Sequence, residues 1–249
     1  MSSIAISVIV FACVFGGAVA GMFLRAVLPQ NRLRDSQDAV KLGMGLVATM
    51  SALVLGLLVA SARGFFETQN TQLTEMSANV IVLDQLLADY GPETKEARDL
   101  LRDSVVRTLD QIWPRERTRA SEVGPPIHGE VFLDKIQALS PKEDSQRQLQ
   151  AHALSLSIGL GQTRWLMYEQ LTISVSKPMV VFLIFWFSMI FLSFGLYAPP
   201  NGIVTVAFFV AGLSVSGAIF LILDMYEPYR GLIGISSAPL RTALSHLGQ

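Results

Sequence analysis

A chain of 249 residues that is 51% hydrophobic and only 16% charged is not an ordinary water-soluble domain, in which about a quarter of the residues carry charge. A mean hydropathy of +0.45 points to an integral membrane protein, and a net charge of −1 excludes the basic field that nucleic-acid binding requires. One cysteine, Cys13, excludes an intrachain disulfide and a dithiol redox motif; it reads as a small hydrophobe facing lipid or a neighbouring helix.

Four uncharged apolar runs of bilayer length occur, Ile4–Leu24, Leu42–Ala62, Met179–Ala198 and Ile203–Leu223. Each covers about 30 Å at helical rise. The first follows no Lys or Arg and is too long for a signal-peptide core, so it is read as a span. Its Gly16, Gly17, Ala18, Ala20 and Gly21 permit close helix contact. Ala26–Lys41, with Pro29, Arg32, Arg34, Asp35 and Asp38, is expected to be a polar loop.

The second span runs without a Pro into an amphipathic helix. Leu73, Met76, Val80, Leu83, Leu87 and Tyr90 recur at spacings of three and four, the stripe of a helix packed on other helices. Gly91-Pro92 should end it, Gly through a left-handed cap and Pro because it cannot continue a helix. Within the span, Gly45, Thr49, Ala52, Gly56 and Ala60 form a stripe of small residues flanked by Leu53 and Leu57. Two readings of the stripe stay open: helix–helix packing in lipid, and a pore-facing surface in an oligomer.

Residues 63–178 read as a soluble helical insert. Glu93–Trp113 has Ala97, Leu100, Leu101, Val105, Leu109 and Ile112 inward, and Pro114 should stop it. A loop at Arg115–Pro126 and a short helix at Glu130–Leu139 follow. Ser140, Pro141 and Glu143 carry the pattern of a helix start with a capping box. That helix carries Leu149, Ala153, Leu156, Leu160, Thr163 and Met167, and runs toward the third span. Pro199-Pro200-Asn201-Gly202 reads as a tight turn between the last two spans. Tyr197, Tyr226 and Tyr229 are expected at membrane edges. The fold class is therefore all-α integral membrane: four transmembrane helices in two hairpins, with a helical-bundle insert between spans two and three. The corresponding domains are 1–62, 63–178, 179–224 and a juxtamembrane tail at 225–249, in which Leu240, Leu244 and Leu247 make a weak amphipathic stripe.

Reactive chemistry is not visible. His128, His152 and His246 are far apart with no Cys or paired acids at ligand spacing, so neither a metal nor another cofactor is expected. Gly43-Met-Gly45 and Gly159-Leu-Gly161 lack the setting and the Lys-Ser/Thr ending of a phosphate loop. With no nucleophile elbow or triad pattern, the chain is read as not an enzyme. No ionisable residue lies inside a span, which argues against proton coupling and leaves room for an apolar constriction that gates by dewetting.

LVLGLLVASARGFFE (53–67), the Ile112-Trp113-Pro114 helix ending, FGLYAPPN (194–201) and LDMYEPYRGLIGISSAPLRTAL (223–244) resemble the bacterial bestrophin-like family of uncharacterised membrane proteins. The likeness covers nearly the whole chain. Its most specific part is the C-terminal motif, marked by Asp224, Pro228, Tyr229, Arg230 and Gly231. Similarity to true bestrophins, which are pentameric anion channels, is more distant and rests on the order of spans and the apolar LVLGL segment. That resemblance implies a homo-oligomeric channel for small inorganic anions in a bacterial inner membrane. Its second span would line the pore, with Leu53 and Leu57 at the neck and Thr49 one turn earlier; Gly45, Ala52, Gly56 and Ala60 would serve packing. Arg63-Gly64-Phe65-Phe66-Glu67 stands where true bestrophins carry Arg, Thr, Asn and paired Trp, and their acidic calcium ligands have no counterpart. The alternative function is a non-conducting membrane scaffold or sensor whose soluble bundle binds a partner. Besides itself, the expected partners are the lipid bilayer and small anions. Arg25, Arg32, Arg34 and Lys41 favour a cytoplasmic 26–41 segment and an insert outside, whereas the bestrophin analogy favours the reverse.

Overall fold

The computed structural model describes residues 3–113, 129–172, 177–199 and 201–248, and every element among them is helical. In chain order they are α1 (Ser3–Val27), α2 (Gln30–Tyr90), a 3₁₀ turn (Pro92–Thr94), α3 (Lys95–Ile112), α4 (Gly129–Gln137), α5 (Asp144–Thr172), α6 (Lys177–Tyr197), α7 (Gly202–Met225) and α8 (Ala238–His246). Of these, α1, α2, α6 and α7 are long and apolar enough to cross a membrane, as the four runs require. Two compact units divide the chain: Met1–Phe65 with Ser174–Tyr226, and Phe66–Ile173 with Glu227–Gln249. The unbroken α2 contributes to both.

The first unit is held by close backbone approach. Between apolar helices in lipid there is little hydrophobic driving force, so contact depends on small residues that let van der Waals surfaces meet. Gly17 lies against the Ser188 carbonyl, where a Cβ would come within 2.7 Å of the oxygen, and Gly21 lies against that of Leu192. Gly195 answers from α6, pressed on the Ala18 carbonyl. These pairs step forward together, so α1 and α6 run parallel. Against α7 the order reverses: Ser216 Oγ donates to Ser7 O at 2.7 Å, Gly212 meets Phe11, and Phe15 meets Phe209 edge-on at 5.7 Å, so those two helices are antiparallel. Arg25 donates to the Tyr197 and Ala198 carbonyls and so caps the end of α6. Asn201 opens α7, its side chain accepting from Val204 N at 2.8 Å.

The second unit has an apolar core of its own. All six residues of the Leu73–Tyr90 stripe are buried, joined by Ala97, Leu101, Val105 and Leu109 of α3, Ile136 of α4, and Ala153 and Met167 of α5. Each large side chain withdrawn from water there contributes about 1.5–3 kcal/mol. Leu240, Ala243 and Leu247, in and just after α8, complete this core.

Several boundaries differ from expectation. The segment 26–41 is not a polar loop: α1 reaches Val27 and α2 begins at Gln30, leaving Leu28 and Pro29 between them. Pro29 suits a helix start, and neither Pro nor Gly follows it before Gly43, so polarity alone did not break the helix. At Gly91 the backbone takes φ 131°, ψ −178°, a region open essentially to glycine alone rather than the left-handed helical cap. The next helix opens on the 3₁₀ turn and becomes α-helical at Lys95. The short helix expected at Glu130–Leu139 is Gly129–Gln137. No capping box forms at Ser140, and α5 starts at Asp144. Its approach is instead held by two glutamines. Gln150 donates to Ile136 O and Leu139 O, at 2.8 and 3.0 Å, while Gln146 accepts from Lys142 N and donates to Tyr90 O, at 2.8 and 2.9 Å. Pro114, the Arg115–Pro126 loop, His128, Pro200 and the junction of α5 with the third span lie outside the described residues.

Candidate conduction face

Within the first unit α2 has two unlike faces. One carries Ser51, Val54, Leu55, Leu58 and Ala62; Leu58 and Ala62 pack with Leu183 and Ile222, and Val54 and Leu55 lie beside them. The other carries Gly45, Thr49, Ala52, Leu53, Gly56, Leu57 and Ala60, all exposed. Leu53 is 71% and Leu57 60% exposed, and a Cβ on Gly45 or Gly56 would meet nothing within 4 Å. The stripe is thus not what packs α2 against the rest of the chain. α2 also exposes the bulky Leu42, Leu46, Met50 and Val59, and small residues are open on other helices too, Ala12, Gly16 and Ala20 on α1 and Ala207, Ala211 and Gly217 on α7, whereas α6 exposes Val181, Phe182 and Phe185.

Chemically the small-residue face is bland. Thr49 Oγ1 donates to Gly45 O at 2.9 Å, so its proton is engaged within the helix. Buried Ser51 does the same to Val47 O at 2.8 Å. Cys13 is exposed on α1. Among the described residues, no group of three or more His, Cys, Asp or Glu is arranged to hold a metal ion.

The C-terminal motif is divided between the units. Asp224 is buried at the end of α7, whereas Pro228, Tyr229, Arg230 and Gly231 belong to the second unit. There the chain turns tightly: the N–H groups of Arg230 and Gly231 both donate to Glu227 O, at 3.0 and 2.8 Å, and Ile235 N donates to the buried Pro228 at 2.7 Å. Tyr229 packs edge-on against Trp113, centroids 5.6 Å apart, and its hydroxyl donates to Gln69 Oε1 at 3.2 Å. Burial pushes that hydroxyl's pKa well above its ordinary value and keeps it protonated. Gln69, fully buried, donates in turn to Gln170 at 2.6 Å, while Trp113 Nε1 donates to Ile235 O at 3.1 Å. Tyr229 is therefore a packed, hydrogen-bonded residue just beyond the end of α7. Sequence reading missed Gln69 and Gln170; the one signal was a glutamine where the heptad stripe, extended toward the N-terminus from Leu73, would place an apolar residue.

Four helices long and apolar enough to cross a bilayer, joined to a second helical unit, define the class as a multi-pass helical membrane protein. The family model described as the Bestrophin-like domain matches residues 11–240, nearly the whole chain. The chain belongs to the bestrophin-like family. No curated protein and no solved structure matches it.

Proposed function

We propose that this chain is one subunit of a homo-oligomeric membrane channel for small inorganic anions, in which the outward face of α2 surrounds a shared axis. The observation that carries the reading is that face: Gly45, Ala52, Gly56 and Ala60, with Leu53 and Leu57 beside them, are left uncovered by the chain's own helices. Small residues allow copies of a helix to approach an axis closely, while bulky ones suit lipid. A single four-span subunit does not enclose a conduit, so conduction needs closed symmetry, five-fold by analogy with true bestrophins. The spans would form two hairpins with the soluble unit between the second and third. Rings of Leu53 and Leu57 would make an apolar neck that hydrated ions cross only when it wets. Gly45, Ala52, Gly56 and Ala60 would set the spacing between neighbouring copies, and Thr49 would place a hydroxyl one turn before the neck.

Chloride flux in liposomes tests this. Leu53→Ala/Leu57→Ala should raise flux above that of the unaltered protein, and Gly56→Leu should disturb assembly. Flux no greater than empty liposomes for both proteins would instead favour a membrane scaffold or sensor that acts through its soluble unit.

A further inference from the structure

The second unit contains a trough of about 650 Å³ whose floor is apolar, formed by Met76, Val80, Leu101, Val105, Leu160 and Leu240. Its volume is in the range of ordinary ligand pockets, ~300–1,000 Å³. Among the described residues, the one charged residue in its lining is Arg164. A second pocket of about 400 Å³ shares Ser104, Val131, Phe132 and Arg164 with the trough and adds Arg107 and Gln111. The trough is thus apolar along its floor and cationic where the two pockets meet.

Arg164 is incompletely satisfied. Among the described residues no Asp or Glu forms an ion pair with it. One Nη donates to the neutral Gln111 Oε1 at 3.1 Å, and the buried Nε–H has no acceptor. Buried donors on a charged group ordinarily have partners, because the water they lost must be replaced. No nearby hydroxyl accepts from that Nε–H; Ser104, Thr108 and Ser157 donate their own protons to the Leu101, Ser104 and Ala153 carbonyls.

We propose that the trough binds a long-chain carboxylate, its head on Arg164 and its alkyl chain along the apolar floor. A carboxylate is the planar, singly charged acceptor that a guanidinium fork matches. One alkyl chain fits one trough, which sets a free carboxylate ahead of a two-chain lipid. This site does not depend on whether α2 conducts.

The test uses the full chain in phosphatidylcholine nanodiscs and palmitate carrying a mid-chain diazirine, with labelled peptides mapped by mass spectrometry. Labelling is expected on trough residues of α2, α3 and α5. Palmitate should compete, and methyl palmitate should do so about 10- to 100-fold less well, the worth of a charge-assisted hydrogen bond. Arg164→Gln should weaken palmitate competition by a similar factor with its unfolding temperature maintained, and Arg164→Lys should restore part of it. Gly161→Leu supplies a second variant: Gly161 lines the trough, a Cβ there meets nothing within 4 Å, and the larger side chain should block labelling. Labelling elsewhere, equal competition by the ester, or labelling indifferent to Gly161→Leu would each overturn the proposal. So would competition by phosphatidylglycerol but not palmitate, or efficient cross-linking between copies through Ile158→Cys in a Cys13→Ser background, which would place a lipid or a second copy there instead.

Discussion

Asp84 and Arg98 form a two-pronged ion pair, Nε to Oδ1 and Nη2 to Oδ2, each at 2.8 Å, and Asp84 Oδ2 also accepts the Gly248 N–H at 3.1 Å. The carboxylate thereby ties α3 and the end of the chain to α2. Burial alone would raise its pKa. The hydrogen bonds from Arg98 and Gly248 and the charge of Arg98 outweigh that and hold it below its ordinary value of 3.8. A carboxyl depressed in the folded state stabilises it above the ordinary value and loses that contribution as pH falls through the lowered one. Unfolding temperature should therefore be flat in this respect from neutral pH down to about 4 and fall below it. Asp84→Asn should cost about 1–3 kcal/mol at neutral pH and flatten the acid decline, read by thermal unfolding across pH. An unchanged acid limb would show that other carboxyls set it.

Gly91→Ala should destabilise the second unit by about 1–3 kcal/mol, since φ 131° is closed to residues with a Cβ. A Cβ there would also come within 2.8 Å of Glu93 Oε2. Adding Glu93→Ala removes that contact, so a loss that persists in the double variant belongs to the backbone. Full recovery in the double variant would assign it to the side chain.

Gly21→Ala should loosen the parallel pair of α1 and α6 by about 1–3 kcal/mol, because the added methyl runs into the Leu192 carbonyl. Gly16 is the internal control, since nothing lies within 4 Å of its Cβ position. Thermal unfolding in detergent should separate the two variants clearly, and equal midpoints would count against this packing.

Leu83→Ala, at a fully buried position of α2, should cost about 2–5 kcal/mol from lost transfer energy and the cavity left behind. Leu83→Asp should prevent the second unit from folding, as it buries a charge without a partner. A small change in circular-dichroism melting for either would contradict the core described for this unit.

The four long apolar helices could be read from the chain because about 20 consecutive apolar residues, the length a bilayer core demands, arise in very few other settings. The stripe from Leu73 to Tyr90 was equally readable, since in water a helix must confine its apolar residues to one face. Within lipid that contrast vanishes. Residues facing lipid and residues facing another helix are both apolar, so nothing in order or composition said that Gly17, Gly21 and Gly195 would join α1 to α6, or that Gly45 and Gly56 would be left open. Partner choice among polar residues was hidden for a related reason. Many acids and glutamines line the helices of the second unit, and only the folded geometry selects Asp84 for Arg98, Gln69 for Tyr229 and, among the described residues, no carboxylate for Arg164. Periodicity records which side of a helix is buried, and tertiary structure alone decides what it is buried against.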